Sequence, residues 1–358
     1  MSPAVLTRYL TRMFVVRCLA VLLALSALLQ LLDLLDAASS VLSRGGGVMD
    51  LLRYTGLRLP LVVERLVPLS VLIGTLSTLW SLASTNEIVA MRSIGLTPYQ
   101  LLGTLMPAAL VVALLHLLLA DQVAPRTERA FLDWWASTTE PGDEPEAPKP
   151  LWFRLDGSVI SVRSVAAGER RLDGVEVFHR DGLGRVTEKL TAARAERGND
   201  GRWVLEDGTR TPVAVPLKTE HFERLDWEIS LTPANIRDLQ LPAENISVLR
   251  LRSILRGGWA GLQSSAYYTT RLHETYAGPL STLVMVLLAA PVAHGLRRRG
   301  GAVGSLALGI VIGLAFLVTN GALAAMGQAG AVPPVIAVWA PTLFFAAVGG
   351  AILVHVEQ

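Results

Sequence analysis

The chain has 358 residues, of which 51% are hydrophobic and 17% charged, with a formal net charge of +2 and one cysteine. The small charge, without a basic stripe of interleaved aromatic residues, argues against nucleic-acid binding. The single cysteine, Cys18, excludes an intramolecular disulfide. No Walker sequence occurs, so this chain does not hydrolyse ATP through a P-loop.

Apolar residues form two blocks, from about Phe14 to Ala120 and from about Thr275 to the end. Between them lie roughly 150 residues of ordinary soluble composition, the pattern of a membrane protein with an inserted extramembrane domain. A bilayer core about 30 Å thick takes about 20 helical residues. We expect six spans: Phe14–Leu32, Leu66–Asn86, Ser93–Ala120, Thr275–Leu296, Ala302–Ala325 and Val335–Val354.

Arginines in the termini and short loops predict the orientation. The predicted inner side carries Arg8, Arg12, Arg17, Arg92 and Arg297–Arg299. Both termini are therefore expected in the cytoplasm and the middle domain outside. Arg44, Arg53 and Arg58, placed in the first outer loop, oppose this majority.

The polar segment between spans two and three predicts a short helix at about 85–95. Thr85 or Asn86 can cap it, Glu87 lies in the favourable first turn, and Gly95 can end it. Helical spacing brings Ile88, Met91 and Arg92 near one face. Such a helix suits docking into a groove of another protein, and a solvated turn fits equally well.

The middle block is predicted to be all β, entered through the Pro- and acid-rich link 140–150. Predicted strands and turns alternate along it: strands 151–155 and 158–165 around a turn at 156–157, strand 174–179, a turn at 181–182, strand 202–206, a turn at 207–208 and strand 225–231. Short strands at this spacing indicate a sandwich, roll or barrel. Leu249, Leu251, Ile254 and Leu255 then predict a short helix that ends at Gly257-Gly258.

No arrangement of residues indicates a catalytic centre or a metal site. The six histidines are scattered, and no nucleophile-elbow sequence frames a serine. Two other classes stay open. One is a secondary transporter, although the spans offer few ionisable groups. The other is a membrane-anchored enzyme acting on envelope lipids, with Asp121, Glu128 and Asp133 as a carboxylate set.

Several segments, in order and at the right separations, resemble one family. They are Arg8-Tyr9-Leu10, residues 86–95, Val123-Ala-Pro125 and residues 332–341, together with three spans on each side of a β domain. The chain resembles the LptF/LptG permeases of the lipopolysaccharide export ABC transporter. Residues 151–157 and 227–233 look like the G-type subunit, and the F-type sister permease is the alternative.

The resemblance implies a multi-pass protein of the bacterial inner membrane that extracts lipopolysaccharide for outer-membrane biogenesis. Spans 1–3 occupy 1–120, a periplasmic β-jellyroll-like domain with its linkers 121–270, and spans 4–6 occupy 271–358. The implied partners are an F-type permease, two copies of a cytoplasmic ATPase, a single-span periplasmic protein (LptC-like), a periplasmic bridge protein (LptA-like) and lipopolysaccharide. This chain itself binds no cofactor, because ATP and Mg²⁺ belong to the ATPase.

The resemblance also implies two sets of site residues. Contact with the ATPase is expected from the segment at 85–95, through Glu87, Ile88, Met91, Arg92 and Gly95. The substrate cavity is expected to be lined by Leu29, Gln30, Asp33, Phe316, Leu317 and Asn320. Some family members carry lysines near the outer end of the first span, where the stretch 29–36 of this chain has the uncharged Gln30 and the acidic Asp33 and Asp36. The arginines at 44, 53 and 58 are an alternative source of positive charge.

Overall fold

The structure is a computed structural model that describes residues 3–355, except 94, 96, 138–149, 156, 167–169, 199, 214–217, 233–235, 237–245, 257–259, 262 and 290–300. The chain divides into two compact units. The helical unit comprises Met1–Thr138 and Thr269–Gln358, and the β unit comprises Thr139–Tyr268.

The helices follow in chain order, with one π-helical turn, Leu119–Val123, between the fourth and the fifth. They are α1 (Pro3–Ser43), α2 (Val48–Ser84), α3 (Glu87–Ser93), α4 (Pro98–Leu118), α5 (Ala124–Ser137), α6 (Val248–Leu255), α7 (Ser265–Leu288), α8 (Gly301–Gln328) and α9 (Pro334–His355). The predicted short helix at 249–255 is confirmed as α6.

Five described helical stretches are long and apolar enough to cross a membrane: Val5–Ser43, Val48–Ser84, Tyr99–Trp135, Ala307–Gln328 and Pro334–Val354. They correspond to predicted spans one, two, three, five and six. The fourth predicted span, 275–296, begins within α7 and runs into 290–300, which lie outside the described residues. The α-helical transmembrane class with an inserted β domain is confirmed.

The first two helices are longer than predicted. With 41 residues, α1 is about 60 Å long, twice the thickness of a bilayer core. The α2 helix begins at Val48, so Arg53 and Arg58 lie on it, and their predicted place in a loop is wrong. The prediction limited both spans to continuous apolar sequence, so it placed the end of the first span and the beginning of the second too close to the membrane core. Beyond that point they continue because Val41, Tyr54 and Phe131 of α1, α2 and α5 pack in a second small core.

The main core of the helical unit joins α1, α2, α3, α4, α7, α8 and α9. Its fully buried members include Phe14, Leu72, Leu76, Leu102 and Phe316. Gly74 permits the close approach of α1 and α2, since a Cβ atom there would lie 2.8 Å from Cα of Cys18. Small residues at helix contacts serve this purpose in membrane bundles.

The β unit contains one antiparallel sheet of seven described strands. They are β1 (Leu151–Leu155), β2 (Ser158–Val165), β3 (Arg171–Arg180), β4 (Val186–Arg197), β5 (Trp203–Pro212), β6 (Glu220–Trp227) and β7 (Ala260–Gly261). The order across the sheet is β6-β5-β4-β3-β2-β1-β7. The first six strands form a meander, and β7 returns after a long connection to pair with the outer edge of β1.

Several predicted β elements are confirmed. The hairpin of β1 and β2 pairs Leu155 with Ser158, and β3 contains the predicted strand 174–179. In the following turn, the Asp181 carboxylate accepts hydrogen bonds from the backbone N–H groups of Leu183 and Arg185 and from the Arg185 side chain. These bonds, the one from the Arg185 backbone above all, lower the pKa of Asp181.

Three β predictions are corrected. The whole of β4 was not predicted, because its twelve residues include five charged ones and lack a clear apolar alternation. The predicted strand 225–231 ends at Trp227. The predicted turn Asp207-Gly208 lies inside β5, with φ of 51° at Asp207. Glycine is required beside it, since a Cβ atom on Gly208 would lie 2.2 Å from the carbonyl oxygen of Thr191.

Candidate functional site

The predicted docking helix is α3, which joins α2 to α4. Asn86, immediately before it, has φ of 58°, and Gly95, just after it, has φ of 90°. Both lie in the left-handed region, which Gly and Asn adopt most readily. The chain therefore turns sharply at each end of α3, and the helix stands between two membrane-spanning candidates.

Glu87 is half-buried at the start of α3 and accepts two hydrogen bonds from outside it. The Thr85 hydroxyl donates to Oε1 over 2.9 Å, and the Tyr9 hydroxyl of α1 donates to the same oxygen over 3.4 Å. The carboxylate also has the favourable sign for a helix N-terminus. Its position is thus fixed by neighbours on two helices.

The other predicted docking residues divide between two faces of α3. Ile88 and Met91 are 2% and 8% exposed and belong to the main core, so they attach α3 to its own chain. Val89, Ala90 and Ser93 form the exposed face, which sequence reasoning missed. The side chain of Arg92 lies outside the described residues. Helical spacing identified one face of α3 but not what that face touches.

Gln30 and Asp33, the predicted cavity residues of α1, lie on its inward side. Gln30 is 5% exposed, and its amide atoms have no hydrogen-bond partner among the described residues. Asp33 Oδ1 lies 3.4 Å from Nη2 of Arg58 on α2. Leu29, by contrast, is exposed. The acidic side chain at 33 is therefore neutralised by one of the three arginines identified in the sequence.

Arg58 also reaches α5. Its Nη1 lies 3.8 Å from Oε1 of Glu128, which is 3% exposed, and its guanidinium lies 5.3 Å from the centre of the Phe131 ring. Asp33, Arg58 and Glu128 thus join three helices through one guanidinium. The burial of Glu128 opposes the enzyme alternative, because Asp133 is exposed on another face of α5 and the two do not form one carboxylate set.

An arginine–aromatic cluster adjoins this network, and sequence reasoning did not find it. The guanidinium of Arg44 lies 4.1 Å from the centre of the Trp135 ring, and that of Arg53 lies 5.4 Å from the centre of the Trp134 ring. Contacts of this length are cation–π interactions. A cavity of about 140 Å³ lies between Arg44, Asp50 and the two tryptophans. The sequence signal that could have identified this cluster is the presence of both Arg and Trp residues just beyond the apolar spans.

The predicted cavity residues on α8 are largely covered. Phe316 has no exposed surface and meets Phe345 edge to face, with ring centres 5.3 Å apart. Leu317 packs against the main core, and Asn320 is half-buried. No described contact joins these three residues to Gln30 or Asp33.

A second polar contact inside the helical bundle was also missed. His116 of α4 is 3% exposed, with Nδ1 3.1 Å from the Thr282 hydroxyl of α7 and Nε2 3.8 Å from Oε1 of Glu64 on α2. Buried polar groups in membrane bundles pair in this way. Among the described residues, no group of three His, Cys, Asp or Glu could hold a metal ion.

Comparison with known proteins gives a consistent result along the whole chain. Residues 8–355 match the family described as lipopolysaccharide export system permease LptF/LptG. A lipopolysaccharide export system permease protein LptG of Haemophilus influenzae is 26% identical over 349 residues, 95% of each chain. The protein of the same name from Escherichia coli K12 is 24% identical over 355 residues, 96% of this chain and 97% of that one.

Proposed function

Because this chain belongs to the LptF/LptG family of lipopolysaccharide export permeases, we propose that it is the G-type permease of an inner-membrane ABC transporter. It takes lipopolysaccharide from the membrane and passes it to a periplasmic bridge, while a separate cytoplasmic ATPase supplies the energy. The observation that carries the proposal is the match over nearly the full length of relatives named LptG. The F-type sister permease is the alternative.

The proposed ATPase contact is the exposed side of α3. Glu87 offers a charge, and Val89, Ala90 and Ser93 offer a small surface around it. Ile88 and Met91 support the contact from behind, since they hold α3 against the core. A carboxylate at such an edge suits a charge-assisted pair with an arginine of the ATPase. Force applied to α3 passes directly into the bundle because its other face is buried there.

The proposed cavity requires the second permease. Gln30 and Asp33 provide polar groups on α1, Arg58 lies beside Asp33, and Arg44 and Arg53 add positive charge at the arginine–aromatic cluster. Acyl chains need broad apolar walls, which the exposed apolar residues of α1 and α8 provide. With Phe316 fully buried, its neighbours Leu314 and Val318 offer the lipid-accessible surface of α8.

Purification of the tagged chain from its native membrane tests the function. We expect a sister permease, an ATPase and lipopolysaccharide, identified by mass, to accompany it. Hydrolysis of ATP should require the ATPase subunit and be absent from the partner-free chain. Recovery of the intact chain without these partners from gently solubilised membranes would contradict the proposal. ATP hydrolysis by the purified chain without partners would contradict the assignment of this activity to a separate subunit.

A further inference from the structure

One face of the sheet in the β unit carries a groove of about 630 Å³. A single row of cross-strand neighbours runs along it through all six meander strands. In order, the row is Trp152, Ser161, Glu176, Thr191, Thr209 and His221, each paired with the next. All six line the groove. At about 4.8 Å between strands, the row is about 24 Å long.

The two faces of the sheet differ in chemistry. The adjacent row on the opposite face comprises Phe153, Ile160, Val177 and Leu190, all buried. On the groove side, every row member except Trp152 carries a hydroxyl, carboxylate or imidazole. The sheet therefore has an apolar side that holds the fold together, and a groove side on which this polar row runs beside apolar lining residues such as Pro150 and Ala192.

This polarity selects the class of ligand. An acyl chain laid along the groove would bring no hydrogen-bond partner to the hydroxyl, carboxylate and imidazole groups of the row. A polyhydroxylated chain would instead add hydrogen bonds to Glu176 and to Thr191 and Thr209, whose hydroxyls bond each other over 2.5 Å. The charges are mixed, with Glu176 paired to Lys189 over 3.2 Å and Asp207 facing His221 over 3.7 Å. A strongly charged polymer is therefore not favoured.

Trp152 provides the apolar part of such a site. Its ring stacks on Phe178, with ring centres 6.1 Å apart and 15° between the planes. The indole is thus held by a second ring while it lines the groove at one end of the row. A fixed, partly exposed aromatic ring suits the C–H face of a sugar ring, whose hydroxyls point outward to polar neighbours.

We infer that this groove binds the saccharide chain of the lipopolysaccharide substrate while the acyl chains stay elsewhere. The inference rests on the proposed function and adds a sugar-recognition site to it. Gly174 keeps the floor of the groove open, because a Cβ atom there would lie 2.8 Å from Cβ of Arg163. The row is long enough for an extended chain of several sugar rings.

Photocrosslinking in the complete transporter tests the inference. A photoreactive residue at Ala193 would lie in the groove, and one at Leu183, which is 79% exposed in the turn between β3 and β4, would lie outside its lining. Vesicles would contain lipopolysaccharide with a full saccharide or with only its innermost sugars, and a third probe at Gln30 would report on the membrane cavity. We expect capture at 193 but not at 183, and only with the full saccharide.

Variants of the row sharpen the test. Trp152→Ala should lower capture at 193 by about threefold to tenfold, whereas Trp152→Phe should retain most of it. Thr209→Val, which removes one hydroxyl at nearly constant shape, should also lower capture and serves if Trp152→Ala fails to fold. Equal capture at 193 and 183, capture insensitive to saccharide length, or capture at Gln30 alone would overturn the inference. Failure at Gln30 as well as at 193 would instead contradict the proposed function.

Discussion

At the scale of single residues, Glu87 ties the structure to the proposed mechanism. Its carboxylate is held by Thr85 and Tyr9 yet stays partly exposed at the beginning of α3. A residue that only favoured the helix N-terminus would contribute about 0.3–1 kcal/mol. Loss of one member of a desolvated charge pair costs about 2–5 kcal/mol. The size of the energetic loss on mutation therefore distinguishes a contact with the ATPase from a purely local effect on the helix.

We therefore predict that Glu87→Ala weakens ATPase binding by about 2–5 kcal/mol, or uncouples hydrolysis from export, while the permease stays folded and loses only about 1 kcal/mol of stability. Glu87→Gln should be milder but still impaired. Binding of the purified ATPase to the reconstituted permease measures the effect. Thr85→Ala is the control, since it removes a hydrogen bond to Glu87 but keeps the charge. Normal assembly and export by Glu87→Ala would end the coupling hypothesis.

Asp33 and Arg58 allow a second prediction at this scale. Both side chains are about a quarter exposed, so solvent weakens their attraction. A double-mutant cycle with Asp33→Ala and Arg58→Ala should give a coupling energy of about 0.5–3 kcal/mol in unfolding. A control cycle that combines Arg58→Ala with Asp36→Ala, at an exposed position, should give no coupling energy. Equal coupling in the two cycles would mean that the observed Asp33–Arg58 contact does not persist in the membrane.

At the scale of elements, α3 has one buried and one exposed face, and adjacent residues test them separately. Ile88→Ala should destabilise the helical unit by about 2–5 kcal/mol, because Ile88 is 2% exposed. Val89→Ala, at a position 55% exposed, should change stability by no more than about 0.5 kcal/mol but weaken ATPase binding. Thermal unfolding and binding, measured on the same preparations, distinguish the two. If both variants changed stability and ATPase binding to a similar extent, the assignment of a buried and an exposed face to α3 would be wrong.

The elements also show what sequence could and could not predict. The β1–β2 hairpin was predictable because strand formers flank Asp156-Gly157, and the apolar spans because a bilayer requires continuous apolar helices. β4 was not, since cross-strand pairs such as Lys189 with Glu176 hold it together. The burial of Ile88 and Met91 against the protein's own core could not be predicted either. A short helix presents the same spacing to its own core and to a partner.

At the scale of the whole molecule, the proposed topology can be tested by labelling. On a Cys18→Ala background, a cysteine at Thr85 should be protected from an impermeant reagent applied from the periplasm. One at Leu183, which is 79% exposed, should react. A cysteine at exposed Arg185 controls for the β unit, and one at exposed Ser84 for the helix junction. Labelling of Thr85 and protection of Leu183 would invert the assigned orientation.

The strand order also has a consequence for how the protein folds. Five of the six strand pairs join neighbours in the chain, so their contacts have low sequence separation and their loops close at small entropic cost. The sixth pair joins Phe153 to Gly261, about 100 residues later. During synthesis the meander can therefore form once Trp227, the last residue of β6, has left the ribosome. The outer edge of β1 stays unpaired until β7 has been synthesised. In that interval the edge of β1, like that of β6 at the other end of the described sheet, is open to pairing with another nascent chain.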